Sequence, residues 1–86
     1  MSKLDEEAYK QWLYDLGRSI AKERRKQGLT QQKMADRTGF DLKYYQDLEY
    51  GRRPLTTRTL YQLTGGMGVK IIDLIKDLQG KKKGQK

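Results

Sequence analysis

The side chains able to do chemistry are, in this sequence, almost all ionic or hydrogen-bonding ones. Cysteine and histidine are absent, which excludes a disulfide framework, a zinc finger and histidine-based catalysis. No nucleophile–base pair, glycine-rich phosphate loop or metal-ligand cluster can be assembled from the remaining residues, so the chain reads as a non-enzyme with no cofactor and no metal. Positive charge is what it has in abundance. Nineteen Lys and Arg face eleven Asp and Glu, giving +8 and a pI near 9.8. Such a balance favours a polyanionic partner, most commonly nucleic acid. Four of the charges, Lys81, Lys82, Lys83 and Lys86, lie at the C-terminal end; eight less these four leaves +4 for the rest. Many proteins with other partners are equally basic, so charge alone does not decide.

The decisive stretch is Thr30 to Pro54. Small or apolar residues fall at Met34, Ala35, Phe40, Tyr45 and Leu48, with polar or charged residues between them. That spacing predicts a helix over about 31–38 with Thr30 as its N-cap, a turn at Gly39, and a second helix over about 42–50 with Asp41 as its N-cap. Gly39 supplies the positive φ of a tight interhelical turn, and Gly51 stops the second helix. An arginine pair, Arg52 and Arg53, follows at once. Ala35 is small enough for two helices joined by so short a turn to cross closely.

The flanking elements must hold this unit in place. Asp5, Glu6 and Glu7 suit the N-terminal end of a first helix, and Lys22, Arg24, Arg25 and Lys26 its C-terminal end before Gly28. Tyr9, Leu13, Leu16 and Ile20 form its buried stripe, with Trp12 beside them as a core residue. Gly17 interrupts that stripe and marks where an N-terminal extension joins the core helix. Thr56 or Thr57 caps a fourth helix carrying Leu60 and Leu63 inward; Gly65 and Gly66 are expected to make its end irregular. Val69 leads into a last helix with Ile71, Leu74, Ile75 and Leu78, poorly capped by Lys70. The fold class is therefore all-α: one domain of about five short helices, with a helical extension over 1–15, a helix-turn-helix domain over 16–79 and a disordered basic tail over 80–86. No apolar run approaches the roughly 20 residues that span a membrane, and the N-terminus lacks a signal peptide's apolar region, so a cytoplasmic, nucleoid-associated protein is expected.

The runs GLTQQKMADRTGF and YYQDLEYGRRP resemble the phage repressor and Cro type of helix-turn-helix, the XRE family, over about Leu16 to Ile75. The resemblance implies a lambda-repressor-like bundle that binds double-stranded DNA as a transcription regulator, expected to act as a repressor. It assigns Arg24 and Glu49 to a structural ion pair between helix 1 and the recognition helix. Gln31 and Gln32 fall at the start of helix 2, where phosphate is contacted, and Arg52, Arg53 and Arg58 fall along the sugar-phosphate backbone. Leu42, Lys43, Tyr44 and Asp47 take the outward positions that reach base edges in the major groove. Glu23 departs from the family's usual apolar residue. The outward face is also less basic than most, with Asp41 and Asp47 on it.

Two functions follow. A regulator of this kind would bind as a homodimer through Met67, Val69, Ile71 and Ile72, on half-sites roughly 34–36 Å apart. The alternative is a protein-interaction module on the same fold, such as an antitoxin or a coactivator, with Tyr9, Trp12 and Tyr14 meeting the partner protein.

Overall fold

Among the described residues, four of the five helices start on a side-chain oxygen and are followed by a glycine of positive φ. The computed structural model describes residues 5–80, and among them lie α1 (Glu6–Lys26), α2 (Gln31–Thr38), α3 (Leu42–Glu49), α4 (Thr57–Met67) and α5 (Ile71–Gly80). The side chains of Asp5, Thr30, Asp41 and Thr56 accept first-turn amides of α1 to α4. Gly28, Gly39, Gly51 and Gly68 adopt positive φ after these helices. In each case the next residue donates its N–H to the carbonyl five positions back: Leu29 to Arg24, Phe40 to Ala35, Arg52 to Asp47, Val69 to Thr64. Orphan helix carbonyls are thereby satisfied within the backbone itself. The weak start expected at Lys70 is repaired from inside the helix, because Asp73 Oδ2 accepts the Lys70 N–H at 2.8 Å, half of a capping box.

The core gathers Leu16 and Ile20 of α1, Met34 and Ala35 of α2, Tyr45 and Leu48 of α3, Leu63 and Met67 of α4, and Leu74 and Leu78 of α5. α1 packs on α3 and α5, while α2 packs on α3 and α4. Ser19 Oγ donates to the Leu74 carbonyl at 2.6 Å and joins α1 to α5. Trp12 is exposed rather than part of the core, because burial on α1 begins only at Leu13. Met67 points into the core and is withdrawn from the surface on which it was expected. The disordered tail expected over 80–86 lies, beyond Gly80, outside the described residues; Gly80 itself closes α5.

Two glycines that weaken their helices by propensity are required by packing. α1 is unbroken through Gly17. A Cβ there would overlap the carbonyl of Glu49 and lie 2.8 Å from that of Leu48, so Gly17 lets α1 cross the end of α3 in direct backbone contact. α4 likewise runs regularly through Gly65 and Gly66, where an irregular end was expected. A Cβ on Gly66 would lie 2.5 Å from Thr38 Cα, whereas one on Gly65 would meet nothing within 4 Å.

A buried ion pair closes the α1–α3 crossing. Arg24 Nε donates to Glu49 Oε2 at 2.6 Å and Nη2 to Oε1 at 3.2 Å, while Nη1 donates to the Leu29 carbonyl at 3.0 Å. Gln31 adds its amide to Glu49 Oε1 at 2.9 Å. The Glu49 side chain is only 2% exposed. Burial alone would raise its pKa, but the hydrogen bonds it accepts outweigh burial and hold the carboxyl below its usual range. Next to the pair, the Tyr45 hydroxyl is buried and makes no hydrogen bond among the described residues. Burial, and then the Glu49 carboxylate, push the phenol far above its ordinary pKa.

Gly65→Ala is expected to stabilise the fold by roughly 0.4–1 kcal/mol, whereas Gly66→Ala, at its Thr38 contact, is expected to destabilise it by about 1–3 kcal/mol; urea unfolding of both variants checks the opposite signs. Glu49→Ala strands Arg24 and is expected to cost about 3 kcal/mol. Because the folded-state pKa of Glu49 is depressed, its contribution is complete above the unfolded carboxylate range, near pH 4.5, and is lost as pH falls through the folded value. Acid titration should therefore show a larger loss of stability in the parent than in Glu49→Gln, which keeps only the contribution of other carboxylates such as Asp47.

Candidate nucleic-acid interface

The C-terminal half of α3 and the loop after it carry a cluster of charge built around Asp47. Only 5% of Asp47 is exposed, yet it lies at the rim of the domain and not in its core. Its neighbours are the long side chains of surface cations. Lys43 Nζ donates to Oδ1 and Oδ2 at 3.1 and 3.2 Å, and Arg53 Nε donates to Oδ2 at 3.3 Å. Arg52 Nη1 stands 3.7 Å from Oδ1. Hydrogen bonding from Lys43 lowers the Asp47 pKa; burial opposes it, but the Lys43 charge and the Arg53 hydrogen bond add to the lowering, so the group is a carboxylate at neutral pH.

Aromatic rings support the two arginines. The Arg53 guanidinium lies 4.6 Å from the centroid of the Tyr44 ring, and that of Arg52 lies 4.9 Å from the Tyr50 ring. Tyr44 is itself fixed, with its hydroxyl 2.8 Å from Thr59 Oγ1 and its ring 4.9 Å from Phe40. Tyr50 receives the Gln31 amide on its hydroxyl at 3.4 Å. Both arginines thus stand on faces that suit a cation and keep N–H donors for an outside acceptor. Gly51 makes the geometry possible: a Cβ there would lie 2.8 Å from the Cα of Tyr14, so the chain turns directly against α1 before the arginines begin.

The structure separates the residues singled out in the sequence. Lys43 is outward, its side chain 73% exposed although ion-paired. Leu42 is half-buried and packs on the core cluster. Tyr44 is half-buried and turned toward Thr59 and Arg53, and Asp47 is engaged as described. Gln31 braces α3: besides its bond to Glu49, its Oε1 accepts from Gln46 at 3.0 Å. Gln32 is exposed and donates to Asp36 at 3.0 Å. Arg58 is exposed at the start of α4 and lines an open groove with Asp41, Tyr44 and Gln62. Sequence reading missed the supporting roles of Tyr50 and Thr59. Nothing in the order of residues announces that a tyrosine will lie beneath an arginine nine positions on.

No helix among the described residues is long and apolar enough to cross a membrane. Among known proteins, residues 20–74 match the helix-turn-helix family. An uncharacterised HTH-type transcriptional regulator, y4dJ, of Sinorhizobium fredii is 42% identical over 60 residues, covering 70% of this chain and 78% of the relative. Two solved structures share the fold. The clp gene regulator ClgR from C. glutamicum superposes with a TM-score of 0.76 at 22% identity, over 86% of this chain and 96% of that one. A point mutant of the restriction-modification controller protein C.Esp1396I gives 0.73 at 23% identity, over 87% and 95%. With α2 and α3 forming the helix-turn-helix and the match spanning well over half its length, the chain belongs to the XRE-type helix-turn-helix family of DNA-binding transcription regulators.

Proposed function

We propose that this regulator is a sequence-specific repressor that lays α3 in the major groove of double-stranded DNA. The observation that carries this reading is the cationic edge formed by Lys43, Arg52 and Arg53 along α3 and just beyond its end. Lys43 is the foremost base reader, able to donate to the O6 and N7 acceptors of guanine. Leu42 and Tyr44 flank it, and Asp47 stands behind it. Arg52, Arg53 and Arg58 contact phosphates and set the register. Gln31 and Gln32 occupy the first turn of α2, where helix N–H groups without intrahelical partners suit a phosphate oxygen. Repression follows from occupying DNA that another protein needs.

One such module buries roughly 600–1,000 Å² on DNA, so specific binding is expected to use two copies. The contact would be made by Ile71 and Ile72 of α5 with Tyr61 of α4, apolar groups that are exposed, Tyr61 by 80%. A cytoplasmic location follows from this role. A second reading, a protein-interaction module such as an antitoxin, draws on Trp12 and Tyr14, which are exposed on the N-terminal turns of α1.

Titrating salt against binding to duplexes selected from a random pool separates the two. The regulator should lose affinity with a log–log slope of about −0.9 per phosphate neutralised. Arg52→Gln should weaken all duplexes alike, while Lys43→Gln should change the preferred base by about 1–3 kcal/mol at one position. A selected duplex that binds no better than random sequence would leave the protein-interaction reading in its place. Ile72→Lys should reduce the sedimentation coefficient to that of a monomer and lower affinity for a two-site duplex, with binding to one half-site unchanged.

A further inference from the structure

The Asp47 cluster goes beyond what a DNA-binding edge requires. A carboxylate offers about four acceptor positions. Two hydrogen bonds from Lys43 and one from Arg53 already take up three, with the Arg52 guanidinium close by. Little capacity is left for a base edge such as cytosine N4. A carboxylate at this place also repels phosphates, which by itself weakens binding to any duplex. Yet Asp47 is tied in by more than its side chain, since its carbonyl accepts the Arg52 N–H at 2.9 Å. Each arginine is held on two sides, by the Asp47 side chain and by the face of a tyrosine.

We propose that Asp47 is a positioning residue that sets DNA specificity through its neighbours: it fixes Lys43 and Arg53 in one geometry and offsets enough of their charge to suppress binding to non-cognate duplex. This rests on the reading of α3 and its trailing arginines as the DNA-facing edge. The physical basis is a difference between two kinds of complex. Random duplex is held by charge alone, which works with mobile cations and grows when a negative group is removed. A cognate site demands donors at defined places, and a long lysine or arginine otherwise loses rotamer freedom on binding. Asp47 removes part of that loss beforehand for the cognate complex and counts only as repulsion in the random one. It touches neither base nor phosphate.

The test compares a selected duplex with random duplex, using the full chain and the variants Asp47→Asn, Asp47→Glu, Arg53→Gln and the double variant Asp47→Asn with Arg53→Gln. Asp47→Asn is expected to bind random duplex about threefold tighter with a steeper salt slope, and to lower the selected-to-random ratio about tenfold. Asp47→Glu keeps the charge and moves the oxygens by one methylene, so it should lower the ratio while leaving random affinity unchanged. With Arg53 already replaced, most of the effect of Asp47→Asn on the ratio should disappear. An unchanged ratio in both Asp47 variants, or an effect of Asp47→Asn as large without Arg53 as with it, overturns the proposal. If the parent itself shows no preference for any duplex, the DNA-reading function fails, a result distinct from failure of the Asp47 role alone.

Discussion

The fold depends on how Glu49 is held at the point where α1 crosses the end of α3. Its carboxylate lies in the interior, where an unpaired charge is strongly disfavoured, and it is made tolerable by a two-pronged arginine from α1 and an amide from α2. Three helices therefore meet on one side chain. The crossing is close enough that only a glycine fits at position 17. Charge pairing and steric fit act here as one constraint. The pair orients the helices, and the absent Cβ allows the distance at which pairing is possible.

Everything on the cationic edge is referred to that point. Tyr50 and Gly51 follow Glu49 directly, and Gly51 turns the chain against Tyr14 so that Arg52 and Arg53 emerge over the rings of Tyr50 and Tyr44. Gln31 belongs to both systems: it braces Glu49 inside, and meets Tyr50 and Gln46 nearer the surface. Position on the outer face is thus inherited from a polar contact in the interior, through short, rigid segments.

The sequence made the helices legible because their ends are written in local chemistry. Thr30 and Asp41 as caps, with Gly39 and Gly51 as stops, bracket α2 and α3 within a residue of where they lie. Periodicity also found Leu16, Ile20, Tyr45, Leu48 and Leu74 in the core. It failed at Trp12, since a helical stripe does not say how far along the helix its neighbours reach. It failed at Gly66 because propensity counts the missing side chain as a weakness, whereas packing uses it as space. The outer face of α3 was the least legible part. Whether Asp47 faces outward or is covered depends on where Lys43, Arg52 and Arg53 fold over it, and that is decided by the turn after α3 and not by helical spacing.

The shared form of the helix ends has an evolutionary consequence. Caps and glycine stops fix where each helix begins and ends by using backbone groups and a few short side chains. The most exposed position of α3, Lys43, is then free of any duty in ending the helix, whereas Leu42 and Tyr44 still pack on their neighbours. Chain length between Asp41 and Arg53 has no such freedom, since a residue inserted within α3 would turn Glu49 away from Arg24 and one inserted after it would carry the arginines off their tyrosine platforms. The outer face of this helix-turn-helix can therefore change by substitution at its most exposed position, and hardly at all by insertion or deletion.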